Sequence, residues 1–521
     1  MTSRKLASFS LSRRQMILAG CSAAALPLLQ RDLAAFPSCR ARTTANPFTL
    51  GVASGDPAPD GFVIWTRLAP APLDGGGMPP EIHDVRWEVA ADDQFRDILQ
   101  TGSVPATPQL GHSVHVELTG LRPDSWYWYR FMHGDAVSRT GRARTTPAAN
   151  SLPSQLRFAF ASCQHYETGF FTAYRHMAEE PLDLVLHLGD YIYEYAGIDG
   201  RVRKHSGPEI TSLEHYRNRY AQYRTDEHLQ TVHALCPWLV VWDDHEFDNN
   251  FAGAISEEDG IDPAEFLLRR ANAWQAWYEH MPVRRSCLPR GADLTLYRTI
   301  DFGRLARLEM LDTRQYRTDQ PNGDRLKPLT GGALDPAGTL LGEAQERWLM
   351  RELLDSTARW NVLGQQVMMG RVDRKSGPEA LFSMDQWPGY EVARKRLLRF
   401  LDERRVPNPI VLTGDIHSNW VNNLQVDCDN PGDPVVATEF VGTSISSGGN
   451  GKQQPADHAQ LLAENPFVRF HNTERGYVSC TVTPDQWKSD YHVVEFVDRP
   501  GAPKITRASF VVENGRAGAE A

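Results

Sequence analysis

The stretch Trp242-Asp243-Asp244-His245-Glu246-Phe247-Asp248-Asn249-Asn250 places many polar groups directly after an apolar run. That run, Pro-Trp-Leu-Val-Val at 237–241, is typical of a short buried strand. Four carboxylates, one imidazole and two carboxamides follow it within nine residues. Anionic side chains this close together repel one another unless a cation lies among them. The stretch therefore predicts a metal site at the carboxyl end of a strand.

Three further apolar runs end in side chains of the same kinds. They are 156–161, followed by Cys163; 184–188, followed by Asp190 and Tyr193; and 410–413, followed by Asp415 and His417. Taken singly, each could be a turn former or a small core residue. In open α/β sheets, however, sites lie beyond the carboxyl ends of the strands, and buried charge is seldom left unpaired. Together with Asp244 and His245, these residues predict one metal centre assembled from four strand ends.

The types of ligand restrict the choice of metal and of reaction. Carboxylate and carboxamide oxygens suit Ca²⁺, Mg²⁺ or Mn²⁺, whereas thiolate, phenolate and imidazole suit a Lewis-acidic transition metal such as Fe³⁺. Such a cluster favours hydrolysis of phosphate esters, because the ions lower the pKa of a bound water and neutralise charge on the phosphoryl oxygens. The sequence contains no Gly-x-Ser-x-Gly elbow, Walker loop or dinucleotide glycine fingerprint that would support a rival mechanism.

Composition is that of an ordinary globular protein of two or three domains. The chain has 521 residues, of which 23% are charged and 41% hydrophobic, and its net charge is −10. This charge argues against general binding of nucleic acid or of anionic membranes, and no nucleic-acid-specific binding is expected. No run of 18 or more apolar residues follows the first 35, so no membrane span is expected in the mature protein.

Residues 1–35 are predicted to be a twin-arginine export signal. Arg13-Arg14 is followed by a modestly apolar, Ala-rich run, and cleavage is expected near Ala34-Ala35. The alternative is the basic start of an amphipathic helix, but the Arg pair, the apolar run and the small residues come in the order of an export signal. The twin-arginine machinery carries folded cargo, which suits a protein whose cofactor is inserted before export. A periplasmic or extracellular location follows.

Two domains are predicted after the signal. Short alternating strands separated by turn signals, such as 61–66, 85–89, 113–118 and 126–131, predict a small fibronectin- or immunoglobulin-like β-sandwich over 46–147. A layered α/β domain is predicted over 154–515, because strand 156–161, helix 170–179 and strand 184–188 form a βαβ unit. Further helices are expected at 263–280, 343–357 and 391–405, strands at 304–311, 360–367, 409–413 and 435–441, and antiparallel strands in the tail.

At its polar strand ends the chain resembles the PhoD family of alkaline phosphatases. The motifs are Ser162-Cys163-Gln164, Leu188-Gly189-Asp190-Tyr191-Ile192-Tyr193-Glu194, Trp242-Asp243-Asp244-His245-Glu246, Leu311-Asp312-Thr313-Arg314-Gln315-Tyr316-Arg317 and Gly414-Asp415-Ile416-His417. The resemblance extends to the export signal, 51–57 and 341–345, and so covers nearly the whole chain. It implies a calcineurin-like metallophosphatase core behind a fibronectin-like β domain. It also implies phosphomonoesterase and phosphodiesterase activity, with Fe³⁺ and Ca²⁺ as the two expected cofactors.

The resemblance also implies a set of ligands. Iron is expected on Cys163, Asp190 and Tyr193, with Asp415 and His417 completing the cluster and Asp244 shared with calcium. The sequence departs from the wider metallophosphatase pattern, since Ser-Cys-Gln stands in place of Asp-x-His at the first strand end. Asp-His likewise replaces Asn-His at the third, and Asp-x-His replaces His-x-His at the fourth. A plain di-zinc or di-manganese site is therefore not expected.

Further roles are predicted for four residues. His245 is expected to stabilise phosphoryl oxygens or to protonate the leaving alkoxide, with a ligand role as the alternative. Arg314 is expected to grip phosphate bidentately, with a structural pair to Asp312 as the alternative. Asn249 is interpreted as a further metal ligand, although it could simply turn the chain. Arg317 is interpreted as a structural partner of Asp312.

These features predict an exported, monomeric phosphoesterase in which a metal-bound hydroxide or oxide attacks phosphorus directly. No covalent phospho-enzyme is expected, because no nucleophilic Ser, Thr or Cys has a base motif beside it. The expected partners are small phosphate esters or phosphodiester polymers, and the twin-arginine machinery. Two alternatives remain at this point: a phospholipase- or teichoic-acid-directed phosphodiesterase, and a non-enzymatic Ca²⁺-dependent wall-binding protein.

Overall fold

The N-terminal strands form the predicted β-sandwich. In the computed structural model, which describes residues 45–430 and 432–521, strands β3, β4, β6, β7 and β8 make one antiparallel sheet and β1, β2 and β5 face it. Side chains of both layers share an apolar core that includes Val52, Phe62, Val89 and Phe131. The strands are β1 Val52–Ala58, β2 Gly61–Arg67, β3 His83–Ala90, β4 Ile98–Ala106, β5 Ser113–Glu117, β6 Trp126–His133, β7 Ala136–Val137 and β8 Gly141–Arg144.

The rest of the described chain is a mixture of helices and strands. The helices are α1 Thr172–Met177, α2 Leu213–Arg224, α3 Glu227–Leu235, α4 Pro263–His280, α5 Gly342–Asp355, α6 Glu391–Glu403 and α7 His458–Glu464. The strands are β9 Leu156–Ala161, β10 Leu184–Leu188, β11 Trp238–Val241, β12 Arg298–Phe302, β13 Ala306–Met310, β14 Leu326–Lys327, β15 Trp360–Gly364, β16 Phe382–Ser383, β17 Pro409–Thr413, β18 Asn419–Gln425, β19 Val435–Val441, β20 Val468–Asn472, β21 Arg475–Val482, β22 Gln486–Val494 and β23 Lys504–Glu513.

A nine-stranded sheet connects the sandwich to the α/β part. Its order is β23-β22-β21-β9-β10-β11-β1-β2-β5, with β9, β10 and β11 parallel and the tail strands antiparallel at one edge. The connection is a parallel pairing of β1 with β11, in which Gly55 lies opposite Trp238. A Cβ atom at Gly55 would lie only 2.2 Å from the Pro282 carbonyl oxygen, so the close approach requires glycine here. The sandwich therefore shares a sheet with the α/β part.

A seven-stranded sheet, β12-β13-β15-β17-β19-β18-β20, packs against the nine-stranded one. Leu186 and Val240 of the first sheet share one buried cluster with Leu308, Val362 and Leu412 of the second. The layered α/β class with an N-terminal β domain is therefore confirmed. The helices and strands expected before the tail are present within three residues of their predicted bounds, and the described residues contain three additional helices, α2, α3 and α7.

Helix α4 fixes the start of the acidic stretch. It begins at an N-cap, where the Asp262 side chain accepts the N–H groups of Ala264 and Glu265. Its inner face places Trp274 in a stack on Trp242, with ring centroids 3.9 Å apart. The apolar stack therefore holds the residue from which the acidic side chains project.

Two predictions concern export and membranes. The expected signal at residues 1–35 and its cleavage site at Ala34-Ala35 lie outside the described residues. Over 45–430 and 432–521, no helix combines the length and the apolar character that crossing a membrane requires.

Candidate metal centre

Four polar strand ends meet at one edge of the two sheets. Cys163 follows β9, Asp190 follows β10, Asp244 follows β11 and Asp415 follows β17. Neighbouring ends are tied by backbone hydrogen bonds: the Cys163 N–H donates to the Gly189 carbonyl (3.1 Å) and the Gln164 N–H to that of Asp190 (3.0 Å). The structure thus brings together residues that are up to 252 positions apart in the sequence (415 − 163).

The backbone at these ends is in the left-handed region, which is unfavourable for residues other than glycine. The φ angles are 57° at Cys163, 55° at Asp190, 63° at Asp415 and 55° at His417. Such conformations are about 1–3 kcal/mol less stable per residue and persist only where the surrounding structure enforces them. Each one turns a side chain into the same space, as a preorganised site requires.

Among residues 45–430 and 432–521, the candidate ligand atoms fall into three groups, and within each group the atoms lie within 4.8 Å of one another. The first contains Cys163, Asp190 and His417; the second Asp190, Asp244 and His245; the third Asp243, Asp244 and Asp415. Because Asp190 and Asp244 each belong to two groups, the arrangement suits ions that share bridging carboxylates. Six of the predicted site residues therefore lie in one cluster, and Asp243 joins them.

The Tyr193 hydroxyl lies within the same cluster. It donates to Asp190 Oδ2 (2.8 Å), accepts from the Ser447 hydroxyl (2.7 Å) and lies 3.1 Å from His417 Nε2. Burial and the nearby negative charges of Asp190 and Cys163 raise the pKa of Tyr193 well above its ordinary value. The Cys163 thiol, which is fully buried, has a raised pKa for the same reasons. A cation beside them would favour the anionic form of both groups.

Three oxygens at the cluster are suited to a cation. Asp190 Oδ1, Asp243 Oδ2 and Asp244 Oδ1 are buried and have no hydrogen-bond partner among residues 45–430 and 432–521. An unsatisfied buried carboxylate oxygen is unfavourable by several kcal/mol unless a positive charge lies beside it. Burial also raises the pKa of Asp415 to about 7, with the charges of Asp385 and Asp244 adding to it. The donor set and its unsatisfied oxygens therefore fit metal ions.

Arg314 supplies positive charge from beneath the cluster. Its fully buried guanidinium donates through Nε to Asp243 and through Nη1 to both oxygens of Asp385 (2.8 and 2.9 Å). Its Nη2 lies 3.5 Å from Asp244 Oδ1 and 3.4 Å from Asp415 Oδ1. The side chain thus compensates carboxylate charge and does not reach into an open cavity, which differs from the expected grip on phosphate.

Neither Arg314 nor Arg317 pairs with Asp312 through its side chain. Asp312 instead accepts the backbone N–H groups of Arg314 and Gln315, and Arg317 donates through Nη1 to Asp385 (2.6 Å). Asp385 is the residue that sequence reasoning missed here. It comes after a short strand in a stretch without apolar periodicity, so nothing in the pattern pointed to it.

Two glutamates organise the acidic stretch. Glu246 accepts the N–H groups of Asp190 (2.9 Å), Tyr191 (2.7 Å) and Asp243 (2.9 Å), and so joins the ends of β10 and β11. Glu194, which was also missed as a site residue, accepts from His245 Nδ1 (2.8 Å). Its position inside the Leu188–Glu194 motif is the signal that could have identified it.

The charges around His245 favour its protonated form. Burial alone would lower its pKa, but the charges of Glu194, Asp190 and Asp244 outweigh burial and raise it well above the ordinary value. Its ring stacks on that of Tyr193, with centroids 4.1 Å apart. With Nδ1 bonded to Glu194, Nε2 is the nitrogen left to face a ligand.

Asn249 lies at the margin of the cluster. Its N–H donates to Glu194 Oε1 (3.2 Å) and its side-chain amide to Glu257 (2.6 Å). The next residue, Asn250, donates its N–H to Asp244 Oδ2 (2.8 Å). The amide oxygen of Asn249 makes none of these bonds, and its role as a ligand stays a prediction.

A cavity of about 660 Å³ opens beside the cluster. That volume has room for a phosphate group together with an organic leaving group. Its wall includes Tyr193, His245, His417, His165, Arg201 and the Ser447-Gly448-Gly449 segment. Ser447 is buried in this wall, where its hydroxyl oxygen also lies 2.7 Å from the Cys163 carbonyl oxygen.

Comparisons with known proteins identify the family of the chain. The profile of the PhoD-like phosphatase family matches residues 158–491, and that of the PhoD-like phosphatase N-terminal domain matches 33–147. Alkaline phosphatase D of Bacillus subtilis (strain 168) is 52% identical over 480 residues, which are 91% of this chain and 82% of the relative. A solved structure of PhoD is 50% identical, with a TM-score of 0.89 over 92% of this chain and 94% of that one. The chain belongs to the PhoD-like phosphatase family.

Proposed function

We propose that this phosphatase hydrolyses phosphomonoesters and phosphodiesters at a centre that holds Fe³⁺ and Ca²⁺. The observation that carries the proposal is the cluster in which Asp190 lies within 4.8 Å of a thiol, a second carboxylate and two imidazoles. Cys163, Asp190, Tyr193 and His417 offer the softer and phenolic donors that suit Fe³⁺. Asp190, Asp244 and Asp415, with Asn249 nearby, offer the oxygens that suit Ca²⁺. When bound, the ions would activate water and neutralise charge on the phosphoryl oxygens.

The residues of the chain itself have distinct tasks in this reaction. His245 faces the cavity, and its imidazolium is suited to bind a phosphoryl oxygen through Nε2 or to give its proton to the leaving oxygen there. Glu194 holds the ring in place through Nδ1. Arg314 balances the carboxylates from below, so that the cluster stays assembled.

Direct attack of water on phosphorus is the step that this geometry supports. Cys163 is fully buried, its thiol donates to the Ser162 hydroxyl (3.2 Å), and it lies among the candidate ligands. The Ser447 hydroxyl contacts the Tyr193 hydroxyl and a backbone carbonyl, and within residues 45–430 and 432–521 it has no hydrogen bond to an imidazole or a carboxylate. We therefore expect inversion of configuration at phosphorus in a chiral-phosphate assay, as a single displacement requires.

Export belongs to the proposal as well. The twin arginines at 13–14 precede an apolar, Ala-rich run, which supports twin-arginine transport of the folded, metal-loaded enzyme to the periplasm or the cell exterior. A monomer suffices, because every candidate ligand comes from one chain.

The test combines element analysis with hydrolysis of p-nitrophenyl phosphate and bis-p-nitrophenyl phosphate, with and without a calcium chelator. We expect iron and calcium in the purified protein, hydrolysis of both esters, and loss of activity on chelation that added Ca²⁺ restores. Cys163→Ala should lose iron, whereas Cys236→Ala, at another buried cysteine, should keep it. Iron-free protein with full activity would contradict the proposed centre.

A further inference from the structure

A second cavity shares His417 with the cavity beside the metal centre. It has a volume of about 290 Å³. Most of its polar lining comes from segments that the proposed reaction does not use. The polar lining residues are Arg374, His417, Ser418, Asp457, His471, Thr473 and Arg475.

In the described part of the chain, Arg374 is a cation without an ion-pair partner. Its side chain is partly buried, yet within residues 45–430 and 432–521 its guanidinium has no hydrogen bond and no carboxylate within 4 Å. The guanidinium lies over the face of Trp420, with the ring centroid 5.6 Å away. Burial lowers the pKa of Arg374. The charges of Asp415 and Asp457 raise it, but they do not outweigh burial. A charge taken out of water without a partner is unfavourable, so the position calls for an anion.

Arg475 adds a second uncompensated charge to the same wall. It is 7% exposed and donates through Nε to the Gly449 carbonyl (2.7 Å) and through Nη1 to the His417 carbonyl. In the described part of the chain, its Nη2 has no acceptor and no carboxylate lies within 4 Å of the guanidinium. Because Gly449 lines the first cavity and His417 lines both, Arg475 connects the two.

Other charges in the lining do not cancel these two. Asp457 is exposed and lies beyond ion-pair distance of both arginines. His471 is stacked on Trp420 at 3.9 Å, and burial lowers its pKa to about 4, so it is neutral near pH 7. The Ser418 hydroxyl is occupied by the Ile416 carbonyl and the Trp420 indole N–H. The guanidinium groups of Arg374 and Arg475 therefore dominate the electrostatic field in the cavity.

We propose that this cavity is an anion subsite, which binds a second phosphate group while the first is hydrolysed at the metal centre. The inference rests on the proposed phosphoesterase function. Guanidinium groups bind phosphate oxygens with charge-assisted hydrogen bonds. His417 lines both cavities. A phosphate bound in the second cavity is therefore adjacent to the ester that reacts in the first. The favoured substrates are accordingly molecules that carry two phosphates a few bonds apart.

The experiment compares glycerol 1-phosphate with glycerol 1,3-bisphosphate as substrates of the intact, metal-loaded protein. The readout is selectivity, the ratio of kcat/KM for the bisphosphate to kcat/KM for the monophosphate. Arg374→Ala and Arg374→Gln should lower this ratio about tenfold, the effect of losing one charge-assisted hydrogen bond. Lys375→Ala, which removes a neighbouring exposed charge outside the cavity, should leave the ratio unchanged.

A second arm separates a phosphate carried by the substrate from free phosphate. Inorganic phosphate is titrated as an inhibitor of glycerol 1-phosphate hydrolysis in the same variants. If free phosphate is the ligand, a non-competitive component of inhibition disappears in the Arg374 variants while the selectivity ratio stays constant. If neither the ratio nor the inhibition changes, the subsite is overturned. Hydrolysis of neither glycerol phosphate by the wild-type protein would instead contradict the proposed function.

Discussion

Tyr193 is the residue whose chemistry reports most directly on the metal. Its hydroxyl contacts Asp190, His417 and Ser447, and its pKa is raised well above the ordinary value while no cation is bound. We predict that the iron-loaded protein has a visible phenolate-to-Fe³⁺ absorption band, which Tyr193→Phe abolishes. The kcat of the Tyr193→Phe variant on p-nitrophenyl phosphate should be about 10–100-fold lower than that of the wild type, as for other groups that tune a metal site. Tyr195→Phe, two residues away without a bond to Asp190, should keep the band. An unchanged band in Tyr193→Phe would contradict phenolate ligation.

The role of Arg314 can be tested at the same scale. Its guanidinium reaches Asp243, Asp244, Asp385 and Asp415 at once, which a lysine ammonium cannot do. We predict that Arg314→Lys lowers the free energy of unfolding by about 3 kcal/mol and reduces metal content. The control is Arg317→Lys, which loses one carboxylate partner and should be milder. A raised KM with unchanged stability and metal content would favour direct phosphate binding by Arg314.

The β12–β13 hairpin carries a titratable group inside a sheet. Glu309 on β13 is fully buried and accepts the Thr299 hydroxyl (2.6 Å), and burial raises its pKa to about 7. Between the pKa of an unfolded glutamate, about 4.3, and pH 7, the folded chain keeps a proton that the unfolded chain releases. The contribution of Glu309 to the free energy of unfolding is therefore fully present at low pH and is lost as the pH rises through about 7.

Glu309→Gln should remove this pH dependence. We expect equal unfolding free energies for variant and wild type near pH 4.5, and a variant more stable by about 2–3 kcal/mol at pH 8. Urea unfolding at several pH values provides the measurement. Glu352→Gln, a more exposed glutamate beside the same Arg307, should follow the wild-type curve. Parallel pH curves for Glu309→Gln and wild type would show that Glu309 is ionised in the folded state.

At the scale of elements, the sequence predicts those strands that are fully buried, because complete burial requires a continuous apolar run. Strands such as β10 and β17 are buried on both faces and consist of apolar runs. The Asp, Cys and His residues that follow such runs can therefore be identified from the sequence. Helix α2 was not predicted, because its buried face is made of tyrosines and arginines and lacks an aliphatic stripe. Asp385 was missed for a related reason, since its position beside Arg314 depends on a loop that only the tertiary structure fixes.

The largest difference between sequence and structure concerns the whole molecule. Sequence patterns predict two domains, whereas no local pattern encodes the pairing of β1 with β11, which places strands of both parts in one sheet. The strand Val52–Ala58 contains Ser, Gly, Asp and Pro, and it is buried nonetheless. Contacts between distant residues support the pairing: the Trp65 indole donates to the Glu279 carbonyl (3.0 Å), and Arg298 pairs with Asp56 (2.9 Å). The sandwich and the α/β part consequently share backbone hydrogen bonds and buried polar contacts.

Because the two parts share a sheet, we predict that they unfold together. Unfolding in urea, followed by tryptophan fluorescence and by far-UV circular dichroism, should give one coincident transition. Gly55→Ala places a Cβ atom 2.2 Å from the Pro282 carbonyl oxygen and 2.7 Å from that of Trp238. It should lower the free energy of unfolding by about 2–3 kcal/mol and shift both signals equally. At Gly432, where the nearest atom is 3.4 Å away, the same substitution should have little effect. Two separate transitions, with Gly55→Ala moving only one, would show that the β-sandwich folds independently.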